Sequence, residues 1–194
     1  MSPATHLLVS WTVANATPLR RRERALVAVA GIIPDVDGLG IVADLLTRNS
    51  ANPLNWWGTY HHIIGHNLGF ALVVTLSTFL LSARRWTVAS LALFTFHLHL
   101  LGDLVGARGP EGYQWPIPYL LPFSDSWQLA WQGQWALHAW PNFLITGITL
   151  ALTFYFAWGR GYSPLEAISV KADRAFVQAL RQRFGDPRQG EQPV

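Results

Sequence analysis

The 194-residue chain is 51% hydrophobic and only 13% charged, with a net charge of +3 at pH 7. Soluble domains are nearer one quarter charged, so this composition argues against a soluble protein and favours a membrane protein. The chain has no cysteine, which excludes disulfides and thiolate metal sites. Any metal must therefore be bound by histidine and carboxylate, which favours Zn²⁺, Mn²⁺ or Fe²⁺.

Five apolar segments follow one another along the chain, separated by basic, polar or proline-rich stretches. They are residues 6–18, 25–34, 61–83, 86–105 and 141–158. The first two are shorter than the roughly 20 residues that a bilayer span needs, whereas the last three are predicted to be long helices. Residues 38–60 are predicted to form a loop with one short helix at 40–48, and residues 106–140 a long loop rich in proline and tryptophan.

The C-terminal segment is polar and basic but keeps an apolar periodicity. Its apolar positions are Leu165, Ile168, Ala172, Phe176 and Leu180. This spacing predicts an amphipathic helix with a basic face. The predicted fold is therefore all-α, a membrane-embedded bundle of about five helices (residues 1–160) followed by a basic amphipathic tail (residues 161–194).

Basic residues cluster at one end of the predicted bundle. If the five segments run up and down, Arg20–Arg24, Arg84–Arg85 and the residues from Arg160 onward all fall on one side. The positive-inside rule makes that side cytoplasmic. Every candidate ligand then falls at the opposite, non-cytoplasmic end of a multi-pass protein, and the loop 106–140 is expected to cover that end.

The segment 97-HLHLLGDLVG-106 places two polar side chains in an apolar helix. His99 and Asp103 are four residues apart and so share one helical face. Burying both is costly unless they pair or bind a ligand. The structural alternative is a His–Asp hydrogen bond within the helix. His97 points to nearly the opposite face and is interpreted as a packing or hydrogen-bonding residue.

Further histidines and aspartates lie just outside apolar segments. Asp35 and Asp37 could bind a hard cation or simply cap a helix. Helical spacing would place His62 and His66 on one face and His61 elsewhere. If the helix begins at residue 62 or later, His61 can still turn inward from the cap. His6 begins the first segment, and His138 and Arg108 are candidates at the rim. Arg108 could neutralise an anionic substrate or be a solvated loop residue.

Four motifs in order resemble a family of bacterial membrane-bound metal-dependent hydrolases. The motifs are 6-HLLVS-10, 34-PDVD-37, 61-HHIIGHN-67 and 99-HLLGD-103, the last followed by the proline-rich stretch 109–124. The family includes YdjM-type inner-membrane proteins, some described as LexA-binding, and the resemblance covers about residues 1–145. It implies an inner-membrane location, and it favours His61 over His62 as a ligand. The metal ligands it implies are His6, Asp35, Asp37, His61, His66, His99 and Asp103.

Seven ligands exceed the four that one Zn²⁺ takes, so two or three divalent ions are expected. The resemblance implies a metal-dependent hydrolase, and the hypothesis is metal-assisted hydrolysis of a phosphoester or another polar ester. The general base would be Asp37 or Asp103, whichever is not fully used in coordination. The position of the site at the membrane interface favours a lipid headgroup as substrate. A distant likeness to zinc-dependent phospholipases C and zinc nucleases is a fold-level analogy. Membrane lipids and a cytoplasmic partner of the tail are the expected partners, and no nucleic acid is expected. The alternatives are haem ligation by His66 and His99 and a non-enzymatic membrane scaffold.

Overall fold

The computed structural model describes residues 1–109 and 112–187, and within them the chain forms α-helices, two 3-10 helices and no β-strand. The eight α-helices are α1 (Pro3–Ala14), α2 (Arg21–Ala30), α3 (Gly40–Thr47), α4 (Trp56–Tyr60), α5 (Leu68–Leu81), α6 (Arg85–Gly106), α7 (Trp140–Arg160) and α8 (Val170–Phe184). The 3-10 helices are Ile33–Leu39 and Pro164–Ala167. The prediction of an all-α bundle is confirmed.

Five helices form the bundle, and α6 lies at its centre. Helix α6 packs against α1, α2 and α5, while α1 also packs against α2 and α7. One apolar cluster joins Ala14, Val27 and Val88 in the half near the start of α6. A second cluster, which includes Phe96 and Ile117, connects α6 to the loop that precedes α7.

Two helices are long and apolar enough to cross a membrane. They are α6 with 22 residues and α7 with 21 residues. Helix α2 and the segment Ile33–Thr47 pass the same test only together, and they meet at a bend of 53°. Helix α5 is apolar but has only 14 residues, which is short of a full span. The described residues therefore contain two or three candidate crossings.

The basic clusters meet at one end of the bundle, as the up-and-down order predicts. The backbone N–H of Arg84 donates to Glu23 Oε1 at 3.0 Å, and Arg160 donates to the Asn15 carbonyl at 2.6 Å. The Arg24 guanidinium makes a bidentate pair with Glu166, at 2.6 and 2.8 Å. These contacts connect α2 to the start of α6, the end of α1 to the end of α7, and α2 to the segment before α8, all at the end opposite to His99 and Asp103.

The prediction that a helix begins at residue 61 is wrong. Helix α5 begins at Leu68, because the Asn67 side chain caps it by accepting the Phe70 N–H at 2.8 Å. Residues 61–67 form an irregular loop in which His62 has a positive φ of 65°. The helical-face argument for His62 and His66 therefore does not apply.

The tail differs from its prediction in where the helix begins and which side chains it buries. Residues 164–167 form a 3-10 turn, and α8 begins at Val170. Val177 and Leu180 pack against Ala157 of α7, whereas Ile168 is 88% exposed and takes no part in that face. Contacts therefore cross the domain boundary predicted at residue 160: α8 packs against α7, and Glu166 pairs with Arg24.

Replacing Glu166 with alanine should destabilise the protein by about 3–5 kcal/mol, because the buried Arg24 guanidinium would lose its carboxylate. Thermal unfolding of the detergent-purified protein measures the effect. The double variant Arg24→Met with Glu166→Met should recover most of the loss, since an apolar pair replaces both charges. An unchanged midpoint in the single variant would contradict this role of the pair.

Candidate metal centre

Three separate segments bring the candidate ligands together at one end of the bundle. Asp35 and Asp37 lie in the 3-10 helix after α2, and His66 lies in the loop before α5. His99 and Asp103 lie on α6, one turn apart. The loop and the 3-10 helix touch at Gly65, where a Cβ atom would lie 2.1 Å from the Pro34 carbonyl oxygen. This close approach requires glycine.

Four side chains converge closely enough to bind a single ion. Asp35, His66, His99 and Asp103 each offer one ligand atom, and these atoms lie within 4.8 Å of one another. The Nε2 atoms of His66 and His99 are 3.1 Å apart. Asp103 Oδ2 lies 3.0 Å from His99 Nε2 and 3.3 Å from His66 Nε2. Ligands placed tetrahedrally at 2.0–2.1 Å from zinc are separated by about 3.3 Å, so the spacing fits.

Each of the two imidazoles, His66 and His99, makes a hydrogen bond through Nδ1, and this bond directs its Nε2 atom at the centre of the group. His99 Nδ1 donates to the Gly31 carbonyl at 2.9 Å, and His66 Nδ1 donates to Asp37 Oδ2 at 3.0 Å. With Nδ1 protonated in both neutral rings, two Nε2 lone pairs face each other across 3.1 Å. Such an arrangement is repulsive unless a proton or a metal ion lies between them. Histidines that bind metal ions usually donate their other ring N–H to a carboxylate or a backbone carbonyl in this way.

Asp35 provides an independent indication that the group fits a cation. Its Oδ1 lies 3.6 Å from His99 Nε2, and its Oδ2 is buried with no hydrogen-bond partner among the described residues. A buried carboxylate oxygen without a donor is uncommon and calls for an ion or water. Two imidazole nitrogens and two carboxylates form a donor set that suits Zn²⁺, Mn²⁺ or Fe²⁺.

Asp37 lies behind the four-residue group rather than in it. Its Oδ1 accepts from His61 Nδ1 at 3.0 Å, and its Oδ2 accepts from His66 Nδ1 and from the Gly65 N–H, each at 3.0 Å. Both oxygens are thus engaged by donors. Asp37 therefore contacts His61, Gly65 and His66 rather than the centre of the four-residue group.

The other predicted ligands surround the group. His6 Nε2 donates to Asp103 Oδ1 at 3.0 Å, and the His6 ring stacks on His99 at 3.7 Å. His61 stacks on Trp57 and does not reach the group. His62 comes closer, with Nε2 3.7 Å from Asp103 Oδ2, and its buried Nδ1 has no partner among the described residues. Asp103 also pairs with the terminal ammonium of Met1.

A cavity of about 330 Å³ opens onto the group. Its lining includes the candidate residues Asp35, Asp103, His61 and His62. It also includes residues from the stretch between α6 and α7, namely Arg108, Trp115, Leu137 and His138. The prediction that this stretch covers the candidate site is confirmed. His138 and Arg108 lie at the cavity and outside the ligand group.

Two residues that support the site were not found from the sequence. Gly31 supplies the carbonyl that holds His99, and its own lack of a side chain is needed because a Cβ would lie 1.8 Å from Ser10 Oγ. Gln134 donates to the backbone carbonyl of Asp103 at 2.8 Å. Nothing in the local sequence around Gln134 signals this contact. His97 is the packing residue that was predicted, bonded to the Leu93 carbonyl and to Tyr119, each at 2.8 Å.

Comparison with known proteins supports the motif assignment. The family model described as YdjM inner membrane protein matches residues 1–176. The chain belongs to the YdjM family of inner membrane proteins. The match includes all the candidate ligands and continues past residue 160 into α8. No curated protein and no solved structure matches the chain significantly.

The two buried histidines of the loop have opposite protonation tendencies. Burial alone would lower the pKa of His66, but hydrogen bonds to Asp103 and Asp37 outweigh it and raise the pKa to about 9. Burial and the neighbouring His66 charge lower the pKa of His62 to about 3. In the metal-free protein at pH 7, His66 therefore holds a proton at the position that a cation would take, and His62 is neutral.

Metal affinity should consequently rise with pH, because the cation must displace the His66 proton. We expect the apparent affinity to increase by about tenfold per pH unit between pH 6 and 8 and to level off above about 9. Competition with a chelator of known pH dependence measures it. In Asp37→Asn the plateau should begin at lower pH, since one of the two carboxylates that hold the proton is lost. An affinity independent of pH over this range would contradict the assignment.

Proposed function

We propose that this YdjM family member is a membrane-bound metal-dependent hydrolase whose ion is held by Asp35, His66, His99 and Asp103. The observation that supports it is the convergence of two imidazole Nε2 atoms and two carboxylates, with both Nδ1 atoms fixed from behind. Zinc is the first candidate, with manganese or iron as alternatives. A divalent cation in this group would lower the pKa of water and so supply a nucleophile near neutral pH.

The chain's own residues have separate roles in this proposal. Asp37 and the Gly31 carbonyl orient the two histidines, and Gln134 fixes the backbone at Asp103. Of the two carboxylates predicted as general base, we favour Asp103, because its side chain lines the cavity whereas that of Asp37 does not. The cavity, about 330 Å³, is large enough for a phosphoester or a lipid headgroup.

The expectation of two or three ions depends on the outer residues. One ion accounts for the four-residue group. A second would need His6, Asp37 and His61 to exchange the hydrogen bonds that they make with one another and with Asp103. Metal analysis separates one equivalent from two.

The proposed orientation and partners follow the distribution of charge. We place the basic end in the cytoplasm and the metal site at the opposite side of the inner membrane. Membrane lipids surround the exposed apolar faces of α6 and α7, and the basic face of α8 is available to a cytoplasmic partner or anionic lipid.

Haem ligation is less compatible with the geometry. With 3.1 Å between the Nε2 atoms of His66 and His99, no space remains for a porphyrin between them. His6 stacked on His99 and Asp103 beside both rings further fill that volume. An absorption spectrum of the purified protein tests this alternative directly.

Metal content and hydrolysis test the proposal together. The detergent-purified protein should contain at least one equivalent of zinc, manganese or iron by elemental analysis, and it should hydrolyse a member of a phosphoester panel. His66→Ala and Asp103→Asn should each lose most of the metal and at least about 100-fold in turnover, because the group loses a ligand.

The matched control is His97→Gln, which removes a half-buried histidine from α6 outside the group. It should retain metal and activity. Metal retained in His66→Ala and Asp103→Asn would contradict the ligand assignment. Bound metal without hydrolysis of any ester would favour the scaffold alternative.

A further inference from the structure

One arginine, Arg108, lines the cavity, and the described part of the chain offers its side chain too few hydrogen-bond acceptors. Arg108 lies directly after α6, and its backbone is fixed on both sides: its N–H donates to the Trp135 carbonyl at 3.0 Å, and its carbonyl accepts from Leu137 at 3.2 Å. These bonds hold residue 108 against the stretch that precedes α7. The side chain therefore lines the cavity from a fixed position, together with Asp35 and Asp103.

The guanidinium of Arg108 is under-used by the protein. Among the residues that the structure describes, its buried Nε has no hydrogen-bond partner, and its side chain makes one bond, a long one of 3.4 Å from an Nη to the Gln132 carbonyl. It makes no ion pair with any residue that the structure describes. Five N–H donors in a planar fork match a carboxylate or phosphate, and leaving a buried donor unpaired is costly.

We propose that Arg108 binds the phosphate group of an anionic substrate, opposite the ligand group. This inference rests on the proposed hydrolase function for its catalytic meaning, but phosphate binding is measurable without turnover. A phosphate placed in the cavity would receive donors from Arg108 on one side and face the cation held by Asp35 and Asp103 on the other. Uncharged esters would leave the Arg108 donors unpaired, so the site should discriminate against them.

The depth of the site favours a lipid as the source of that phosphate. His99 and Asp103 are 14 and 18 residues from Arg85 at the start of α6, which corresponds to about 21 and 27 Å along the helix. The hydrocarbon core of a bilayer is about 30 Å thick. If α6 begins at the cytoplasmic boundary, the cavity lies near the opposite boundary, at the level where lipid phosphates begin.

An apolar groove beside the site is consistent with the same source. Ile63 and Ile64, which follow His61 and His62, line it together with Phe70, Val73 and Phe123. Its side chains include exposed ones such as Phe123 and Val73. Such a groove would accommodate lipid chains in the outer half of the membrane.

The test measures phosphate binding to the metal-loaded, full-length protein in detergent by isothermal titration calorimetry. Inorganic phosphate is one probe, and mixed micelles containing phosphatidic acid are the other. Arg108→Gln should weaken binding of the preferred probe by about 10- to 100-fold, because charge-assisted hydrogen bonds are lost. The affinity of Arg108→Lys should lie between those of the unmodified protein and Arg108→Gln, because lysine keeps the positive charge but lacks the planar fork of donors.

Two controls separate this effect from loss of structure or of general charge. The metal content of both Arg108 variants should equal that of the unmodified protein. Arg22→Gln removes an exposed positive charge at the opposite end of the bundle and should leave binding unchanged. Tighter Arg108-dependent binding of phosphatidic acid assigns a lipid source, and Arg108-dependent binding of inorganic phosphate alone assigns a soluble one.

The inference would be overturned if, for each probe, the unmodified protein, Arg108→Lys and Arg108→Gln all bound it with the same affinity. The outcome is distinct from failure of the hydrolase proposal. If phosphate binding depends on Arg108 but no ester is hydrolysed, the anion site is supported and the hydrolase proposal is refuted. If hydrolysis requires Asp103 but phosphate binding does not depend on Arg108, the hydrolase proposal is supported and the anion site at Arg108 is refuted.

Discussion

The hydrogen bond from His66 Nδ1 to Asp37, 3.0 Å long, organises the candidate site. It joins the loop before α5 to the 3-10 helix after α2, and the Gly65 amide donates to the same carboxylate oxygen. Because the carboxylate accepts from Nδ1, the Nε2 atom is directed at His99 and Asp103 on α6. Three segments that are distant in sequence thereby become one set of converging ligands, and the same bond fixes the tautomer that a cation requires.

The bundle lowers the free-energy cost of such a site in a membrane, because it keeps the polar groups away from lipid. On α6, His99 and Asp103 are almost fully buried, while Phe94 and Leu101 on the other face are exposed. The polar side chains therefore face protein, and the apolar ones face the bilayer, as intramembrane ionisable residues generally do. The arginine clusters at 20–24, 84–85 and 160 lie at the far end of the bundle, so their charges are separated from the ligand group by most of its length.

The long helices and the ligand candidates could be predicted because apolar runs and polar residues within them are local signals. The start of α5 could not, because the run 61–83 does not reveal that Asn67 caps the helix or that His62 has a φ of 65°. The sequence also does not show that Asp35 lies in the four-residue group while Asp37 lies behind it. Both residues belong to one 3-10 helix, and only the tertiary fold determines what each side chain contacts. The bond from His99 to the Gly31 carbonyl joins residues 68 positions apart, and no short pattern encodes it.

X-ray absorption spectroscopy of the zinc-reconstituted protein tests the central claim, that the ion is held by two oriented imidazoles and carboxylates. The account predicts a sulfur-free shell of about four nitrogen and oxygen ligands at about 2.0–2.1 Å. Outer-shell scattering should indicate two imidazoles in the unmodified protein and one in His66→Ala. A shell without imidazole scattering, or an imidazole count that His66→Ala leaves unchanged, would contradict the account.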